Sequence, residues 1–208
     1  MNIRKNSESA KKPVQERGQK RRLLILEAAR AKLMEQGVGG LVLRDIADEM
    51  GITHGNLQYY FKTKNDLVKA VFDREVKKYT TGLSEAVRSA TSTKGKISAL
   101  VDSGFDQLKT VETKLFITLI GIADQDKVFA DILRAENEFY DQSLADEIVH
   151  IAPDLSIERR MHIAKIFRLI LDGAAIDFIY NDPSDPKWPE GRDCRCVDAL
   201  ADNQIVRA

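Results

Sequence analysis

The side chains best suited to specific chemistry lie close together, between residues 53 and 59. They are a hydroxyl, an imidazole, two amides and a phenol, carried by Thr53, His54, Asn56, Gln58 and Tyr59. Amide and hydroxyl groups can pair with base edges in the major groove of DNA. The same run could also be an ordinary polar surface. These residue types therefore indicate nucleic-acid recognition only if the fold presents them together at the start of a helix.

Two short helices separated by a tight turn would present them in that way. Apolar spacing predicts a first helix from Leu43 to Met50, and Gly51 can supply the positive φ of the turn. Thr53 has the side chain of an N-cap, so it predicts a second helix that begins directly after it. Residues 42–61 therefore indicate a helix-turn-helix motif.

The flanking sequence predicts helices and no strands. A helix over residues 19–36 precedes the motif and stops at Gly37. Thr63 and Asp66 form a capping box that opens a long helix behind it. Apolar periodicity over residues 94–181 predicts further helices. The expected fold class is all-α, with an N-terminal three-helix helix-turn-helix domain joined by a fourth helix to a helical C-terminal domain.

Taken together, these residues resemble the TetR family of bacterial transcriptional regulators. The resemblance covers about residues 19–78 and rests on a run of short motifs. These are Ile25-Leu26-x-x-Ala29, Gly37, Arg44-Asp45-Ile46-Ala47, Gly51-Ile52-Thr53, Gly55-Asn56-Leu57 and Tyr59-Tyr60-Phe61-Lys62-Thr63-Lys64-x-Asp66-Leu67.

The resemblance implies which side chains meet DNA. They are Arg44, Thr53, His54, Gly55, Asn56, Gln58, Tyr59, Tyr60 and Lys64, with Tyr60 and Lys64 on phosphates. Two positions depart from the family pattern. Val42 stands where a Ser or Thr usually caps the first short helix, so that cap is missing, and Gln58 replaces a common Tyr, so the bases read there differ.

The resemblance also implies that the C-terminal domain forms a homodimer and encloses a small-molecule pocket. Candidate pocket residues, which could equally be plain core, are Phe105, Leu108, Phe116, Ile120, Phe129, Leu133 and Phe167. Residues in the last helix favour close packing across a two-fold axis, or packing within one chain: Gly173, Ala174, Ala175 and Phe178.

The stretch from Leu115 to Ala123 is apolar nearly all round and is expected to be buried on every side. Polar groups near apolar faces, which could bind a ligand or be solvated, are His150, His162, Asp172 and Asp177.

The expected domain organisation has four parts. A flexible basic arm covers 1–18, the helix-turn-helix domain 19–78, the effector-binding and dimerisation domain 79–182, and an irregular Pro-containing tail 183–208. The arm carries Arg4, Lys5, Lys11 and Lys12, which could add DNA contacts or none. Cys194 and Cys196 lie in the tail without a second ligand pair at zinc spacing, so we expect free thiols, no metal and no cofactor. The alternative is a redox or metal role, because neighbouring arginines can lower the pKa of a thiol.

The formal net charge of zero hides an asymmetry along the chain. Residues 1–64 hold 13 Lys and Arg against 7 Asp and Glu, whereas the remainder holds 19 against 25. A basic first third is typical of a part that meets a polyanion, although a solvated basic surface would give the same count.

The sequence lacks the signals that are typical of several classes of protein. No apolar stretch approaches the roughly 20 residues of a membrane span, and the first residues contain no apolar signal segment, so we expect a cytoplasmic protein. A nucleophile motif, a phosphate loop and paired histidines are all missing, so we expect no enzyme.

The resemblance implies a ligand-responsive transcriptional regulator, in the first place a repressor. It would bind a palindromic operator in double-stranded DNA as a homodimer and be released by a small-molecule effector. The alternative is a constitutive DNA-binding or architectural protein without an effector, which differs in having no ligand cavity. The operator, the effector, the target genes and the sign of regulation do not follow from the sequence.

Overall fold

A computed structural model describes residues 6–180, with side chains for 16–110 and 113–178. This part of the chain forms eight α-helices and no strand, so the all-α prediction is confirmed. The helices are α1 Asn6–Gly40, α2 Leu43–Glu49, α3 His54–Tyr60, α4 Lys64–Ser89, α5 Thr93–Leu108, α6 Val111–Ala123, α7 Lys127–Ile148 and α8 Ile157–Tyr180. They group into two compact units, the first ending at Val71 and the second beginning at Phe72, so α4 belongs to both.

The first helix is longer than the sequence predicts. It begins at Asn6, so the arm expected over residues 1–18 is helical from Asn6 onward. Gly18 is half-buried and the other residues of 16–24 are exposed. The sequence before residue 19 has no apolar periodicity that would predict a helix. Gly37 has a φ of 66°, which breaks the helical geometry where the sequence places its stop.

Short-range contacts fix the helix-turn-helix motif. Gly51 has a φ of 64°, and the Ile52 N–H donates to the Ala47 carbonyl at 2.9 Å, which closes the turn. The core of the first unit is made of apolar side chains from α1 to α4. They include Ile25, Leu26, Ala29, Leu33, Ile46, Ala47, Leu57, Phe61 and Leu67. Each large member contributes about 1.5–3 kcal/mol by leaving water.

The capping box predicted at the start of α4 is confirmed. The Thr63 N–H donates to Asp66 Oδ2 at 3.0 Å, and Thr63 Oγ1 accepts from the Asp66 N–H at 3.1 Å. Two backbone donors that a helix start would leave unpaired are thereby satisfied. From this fixed start α4 continues without a break to Ser89.

The second unit packs α5 to α8 and most of α4 around one apolar core. Its members include Leu83, Val87, Leu100, Val101, Leu144, Ala145, Ala164 and Leu171. Gly104 brings α5 close to α8, because a Cβ there would stand 2.9 Å from Phe167 Cζ. The buried Glu147 of α7 accepts from Arg88 Nη2 at 2.8 Å and also from Ser84 Oγ, which ties α7 to α4.

The prediction that Leu115 to Ala123 is buried on every side is wrong for a single chain. Leu115 and Leu119 of α6 are buried, but Gly121 is exposed and the other residues of this stretch are half-buried. The helix covers the bundle with one face only, and an all-round apolar pattern cannot show how many neighbours a helix has.

No helix in the described residues is long and apolar enough to cross a membrane. The tail at 183–208, with Cys194 and Cys196, lies outside the described residues.

Candidate nucleic-acid interface and ligand cavity

The outer face of α3 presents the polar groups that the sequence singled out. Asn56, Gln58 and Tyr59 are exposed, with Tyr59 at 83% of its free surface. Thr53 and Gly55 are exposed beside them, and His54 is half-buried. These side chains therefore share one solvent-facing surface, which we call the α3 surface: residues 53–56, 58 and 59.

The α3 surface is held rigidly from its other side. Leu57 is completely buried, and Thr53 Oγ1 caps the helix by accepting from the Asn56 N–H at 3.2 Å. Phe61 follows the helix and is buried as well. The polar groups are thus positioned by backbone and core contacts and keep their own hydrogen-bonding capacity for a partner.

The other residues predicted to meet DNA differ in how exposed they are. Arg44 of α2 is exposed. Lys64 is half-buried, and its Nζ donates to the Gly39 carbonyl at 3.4 Å, so part of its capacity is used within the chain. The rings of Tyr59 and Tyr60 meet edge to face with centroids 5.3 Å apart. Val42 makes no side-chain cap to α2, as its residue type predicts.

Sequence reasoning missed a group of cations on α1. Arg17, Lys20, Arg21 and Arg22 are exposed and line a groove with Tyr59 and Tyr60. The Arg22 guanidinium lies 5.0 Å from the centre of the Phe61 ring, a cation–π contact that fixes its position. We call these four cations the α1 basic strip. The signal in the sequence was the Lys20-Arg21-Arg22 run beside the predicted start of the helix.

A cavity lies within the second unit, and all five of its helices line it. Its volume is about 90 Å³, several times what a single water molecule needs. The lining residues are Phe72, Glu75, Val76, Tyr79, Gln107, Leu108, Thr113, Leu115, Phe116, Glu136, Asn137, Tyr140, Arg168, Leu171, Asp172 and Ala175. The described residues contain no cluster of His, Cys, Asp and Glu arranged to hold a metal ion.

Only part of the predicted pocket lining faces this cavity. Leu108 and Phe116 line it, and Leu133 lines a separate groove. Four other candidates do not line it: Phe105, Ile120, Phe129 and Phe167. Phe105 and Phe167 pack on the core instead, because an aromatic residue at helical spacing fills space in either setting. Of the polar candidates, Asp172 lines the cavity, whereas His150, His162 and Asp177 are exposed.

Arg168 of α8 joins two carboxylates beside the cavity. Its Nε donates to Asp141 Oδ1 at 2.7 Å and its Nη2 to Asp141 Oδ2 at 3.3 Å, a bidentate pair. Its Nη1 donates to Asp172 Oδ2 at 2.9 Å. Arg168 and Asp141 are both buried, so the pair fixes α8 against α7 from within.

Two tyrosines form the other polar feature of the cavity. The rings of Tyr79 and Tyr140 are stacked, with centroids 5.6 Å apart and planes 4° from parallel, and their hydroxyls lie 3.4 Å apart. Burial raises the pKa of Tyr79 to about 12 and that of Tyr140 well above its usual range. Both side chains are therefore neutral at physiological pH and can donate hydrogen bonds.

The residues predicted to form a dimer contact are only partly on the surface. Ala175 is 4% exposed and lines the cavity, and Ala174 and Phe178 pack against the core. Gly173 is exposed and lies in an apolar stripe. This stripe, the α8 face, consists of Ile166, Leu169, Ile170, Gly173 and Ile176, with the four side chains 46–54% exposed. Ala175 points into the bundle of its own chain, because small residues on α8 point inward as well as outward, and the dimer contact stays a prediction.

Comparison with known proteins agrees with this architecture. Residues 25–71 match the family described as bacterial regulatory proteins, tetR family. The chain is 31% identical over 99 residues to the HTH-type transcriptional regulator BetI of Proteus mirabilis, covering 46% of this chain and 48% of that protein. It is 23% identical over 172 residues to the HTH-type transcriptional repressor KstR2 of Mycolicibacterium smegmatis, covering 80% and 82%. The match to the first of these relatives thus spans about half of its length.

A solved structure extends the likeness to the whole fold. A candidate transcriptional regulator of Pseudomonas aeruginosa PAO1 superposes with a TM-score of 0.71 at 18% identity, over 90% of this chain and 91% of that one. The two curated relatives named above are transcriptional regulators. Residues 25–71 are thus similar to the TetR family of bacterial transcriptional regulators, and the fold of the whole chain is similar to that of the P. aeruginosa protein.

Proposed function

We propose that this protein is a ligand-responsive transcriptional repressor of the bacterial cytoplasm that binds a palindromic DNA operator as a homodimer. The observation that carries the proposal is the α3 surface. Its amide, hydroxyl and phenol groups are exposed, while Leu57 and the Thr53 cap hold the helix that bears them. A recognition helix needs this combination, because base edges are read by hydrogen bonds made at fixed positions.

The α1 basic strip supports the same function. Arg17, Lys20, Arg21 and Arg22 are exposed beside Tyr59 and Tyr60, so a duplex on the α3 surface brings phosphates to them. Phosphate contacts hold a protein in register on the duplex and supply affinity that does not depend on sequence. In this proposal the strip anchors the DNA and the α3 surface reads it.

The α8 face supports a homodimer. An apolar stripe with Leu169 and Ile170 each 54% exposed is unfavourable in water, and a second copy of the same stripe can cover it across a two-fold axis. A dimer of this kind places two recognition helices in successive major grooves, about 34–36 Å apart. The operator is therefore palindromic.

The cavity supports release by an effector. α4 begins in the DNA-recognition unit and supplies Phe72, Glu75 and Tyr79 to the cavity, so a ligand there acts directly on the helix that joins the two units. The effector must bind the DNA-free form more tightly by roughly 1–3 kcal/mol to act as a switch. The name of the M. smegmatis relative, a repressor, supports that sign of regulation here.

Selection of bound sequences from a random duplex library, at two salt concentrations, tests the proposal. We expect an enriched palindrome for the wild type, none for the triple variant Asn56→Ala, Gln58→Ala, Tyr59→Ala, and unchanged enrichment for Gln142→Ala, an exposed amide of α7. Binding without enrichment that is lost steeply in salt would overturn sequence recognition and leave a non-specific basic surface. Native mass spectrometry of the purified protein mixed with cell metabolites then distinguishes the two alternatives. A bound small molecule indicates a ligand-responsive regulator, and its absence indicates a constitutive one.

A further inference from the structure

Every charged side chain described in the lining of the cavity already has a partner within the chain. These side chains are Glu75, Glu136, Arg168 and Asp172. Arg168 Nη1 donates to Asp172 at 2.9 Å, and its Nε and Nη2 bind Asp141. Glu75 and Glu136 each interact with another group of the chain. The described lining therefore offers no unpaired charge to an incoming ion.

A charged ligand would lose its hydration in this cavity without gaining an opposite charge. Burying an ion costs far more than burying an uncharged polar group, unless a partner compensates the charge. The lining itself carries this penalty, because burial raises the pKa of Asp172 although Arg168 binds it. An ion of either sign could be paired only by displacing an internal partner, so the cavity favours uncharged ligands.

The Tyr79–Tyr140 pair supplies an uncharged group that can orient a ligand. Its two hydroxyls lie 3.4 Å apart, so one donates to the other and the second hydrogen is left over, whichever of the two donates. Burial raises the pKa of Tyr79 to about 12 and that of Tyr140 well above its usual range, so neither hydroxyl ionises near neutral pH. The pair can therefore donate one hydrogen bond to an oxygen atom of a ligand.

The rest of the cavity fits the apolar part of a ligand. Apolar side chains of four helices line it, among them Phe72, Val76, Leu108, Leu115, Phe116 and Leu171. The apolar groups of a ligand gain affinity when they leave water for such a wall. A volume of about 90 Å³ is below the roughly 150 Å³ of an apolar cavity that holds benzene, so the ligand must be compact.

We infer that the cavity binds a compact uncharged molecule with an apolar body and an oxygen atom that accepts a hydrogen bond from the Tyr79–Tyr140 pair. Small alcohols, ketones and amides belong to this class. The inference rests on the proposed role of the cavity as the effector site, to which it adds the chemical class of the effector. Ions of the same shape are excluded by the cost of removing their hydration, and hydrocarbons of that shape lack the hydrogen bond.

Two pairs of probes, each matched in size and different in charge, test the inference. One pair is cyclopentanol and cyclopentylammonium, and the other is cyclobutanecarboxamide and cyclobutanecarboxylate. Each probe is titrated into the full chain at pH 7.5, where the ammonium and the carboxylate are ionised, and binding is followed by NMR of the probe. We expect the uncharged member of each pair to bind at least about tenfold more tightly than the charged one.

The double variant Tyr79→Phe, Tyr140→Phe tests the hydrogen bond, because it keeps both rings and removes both hydroxyls. Its affinity for cyclopentanol should fall about fivefold, the effect of losing one hydrogen bond between uncharged groups. The control is Ser143→Ala, which removes a hydroxyl from the same helix as Tyr140 at a position that does not line the cavity. This variant should bind cyclopentanol like the wild type.

Each outcome has one meaning. Equal or tighter binding of the charged member of either pair, or no binding of any probe, overturns the inference. An affinity of the double variant equal to that of the wild type also overturns it, because the hydrogen bond is part of the inference. The wild-type pairs decide the preference for uncharged ligands even if the double variant fails to fold.

The selection from the random duplex library, repeated with the same preparation, separates this inference from the proposed function. An enriched palindrome without a preference for uncharged probes removes the inference and leaves the proposed function. A preference for uncharged probes without a palindrome confirms the chemistry of the cavity and removes the regulatory role.

Discussion

The α3 surface and the cavity hold their polar groups in opposite ways. On α3, Asn56 and Gln58 face solvent, and the buried side chain of Leu57 anchors the helix that carries them. Beside the cavity, Arg168 and Asp141 are withdrawn from water and bind each other at 2.7 Å. The first region has hydrogen-bonding capacity left for a partner, whereas the second uses much of it within the chain. Substitutions on α3 should therefore change binding and leave folding alone, and substitutions around Arg168 should do the reverse.

The largest effect is expected for Arg168→Ala. The change leaves Asp141 and Asp172 without their cation in a buried setting, which should lower the free energy of unfolding by about 3–5 kcal/mol. Urea denaturation followed by circular dichroism measures it. Arg134→Ala, which breaks an exposed pair with Asp131, should cost no more than about 1 kcal/mol. Equal losses for the two variants would contradict the distinction between buried and exposed pairs.

A second large effect concerns the α8 face. Leu169→Asp puts a charge in the stripe that we assign to the dimer contact, so the protein should become monomeric in sedimentation and lose about a hundredfold or more in operator affinity. Its folding should be unaffected, because Leu169 is 54% exposed within one chain. Ile157→Asp, similarly exposed on the same helix but outside the face, should remain dimeric. A dimeric Leu169→Asp protein would place the interface elsewhere.

Gln58→Ala tests the α3 surface itself. Removing an exposed amide should relax the preference at one base pair of each half-site, a loss of about 1–3 kcal/mol in discrimination. Competition binding with singly substituted operators measures it, and the urea midpoint should not move. If discrimination at every position stayed as in the wild type, Gln58 would not be a reading residue.

The smallest effect is expected for Lys64→Ala. It should weaken binding to all sequences alike and reduce the slope of log affinity against log salt by about one unit for each phosphate that the variant no longer neutralises. The internal hydrogen bond from Lys64 Nζ to the Gly39 carbonyl, at 3.4 Å, is long and leaves the ammonium available. Lys114→Ala, at an exposed lysine of α6, is the control. A salt slope unchanged from the wild type would remove Lys64 from the residues that bind phosphate.

The helix-turn-helix was predictable because its determinants are local. Thr53, Gly51 and the Thr63–Asp66 pair act through hydrogen bonds or backbone angles within a few residues, so their types alone indicate the structure. The missing cap at Val42 was readable for the same reason. Which groups of α3 face solvent followed from helical spacing once Leu57 was assigned to the core.

The cavity was not predictable because its lining comes from five helices. Tyr79 and Tyr140 are 61 positions apart, and Asp141 and Arg168 are 27 apart, yet each pair is in contact. Spacing on one helix cannot show which distant helix lies opposite. The same limit applies to Phe167, which could be lining or plain core by its spacing, and to Ala175, which could pack within one chain or across a dimer. The early start of α1 was not predictable because the sequence before residue 19 has no apolar periodicity.

The most direct test of the central claim compares the selected palindrome with a copy that carries five extra base pairs at its centre. Half a helical turn moves one half-site to the opposite side of the duplex, beyond the reach of a rigid dimer. If two α3 surfaces read the operator together, affinity should fall about a hundredfold or more, to that of an isolated half-site. Equal affinity for the two duplexes would contradict the claim, because each α3 surface would then act alone.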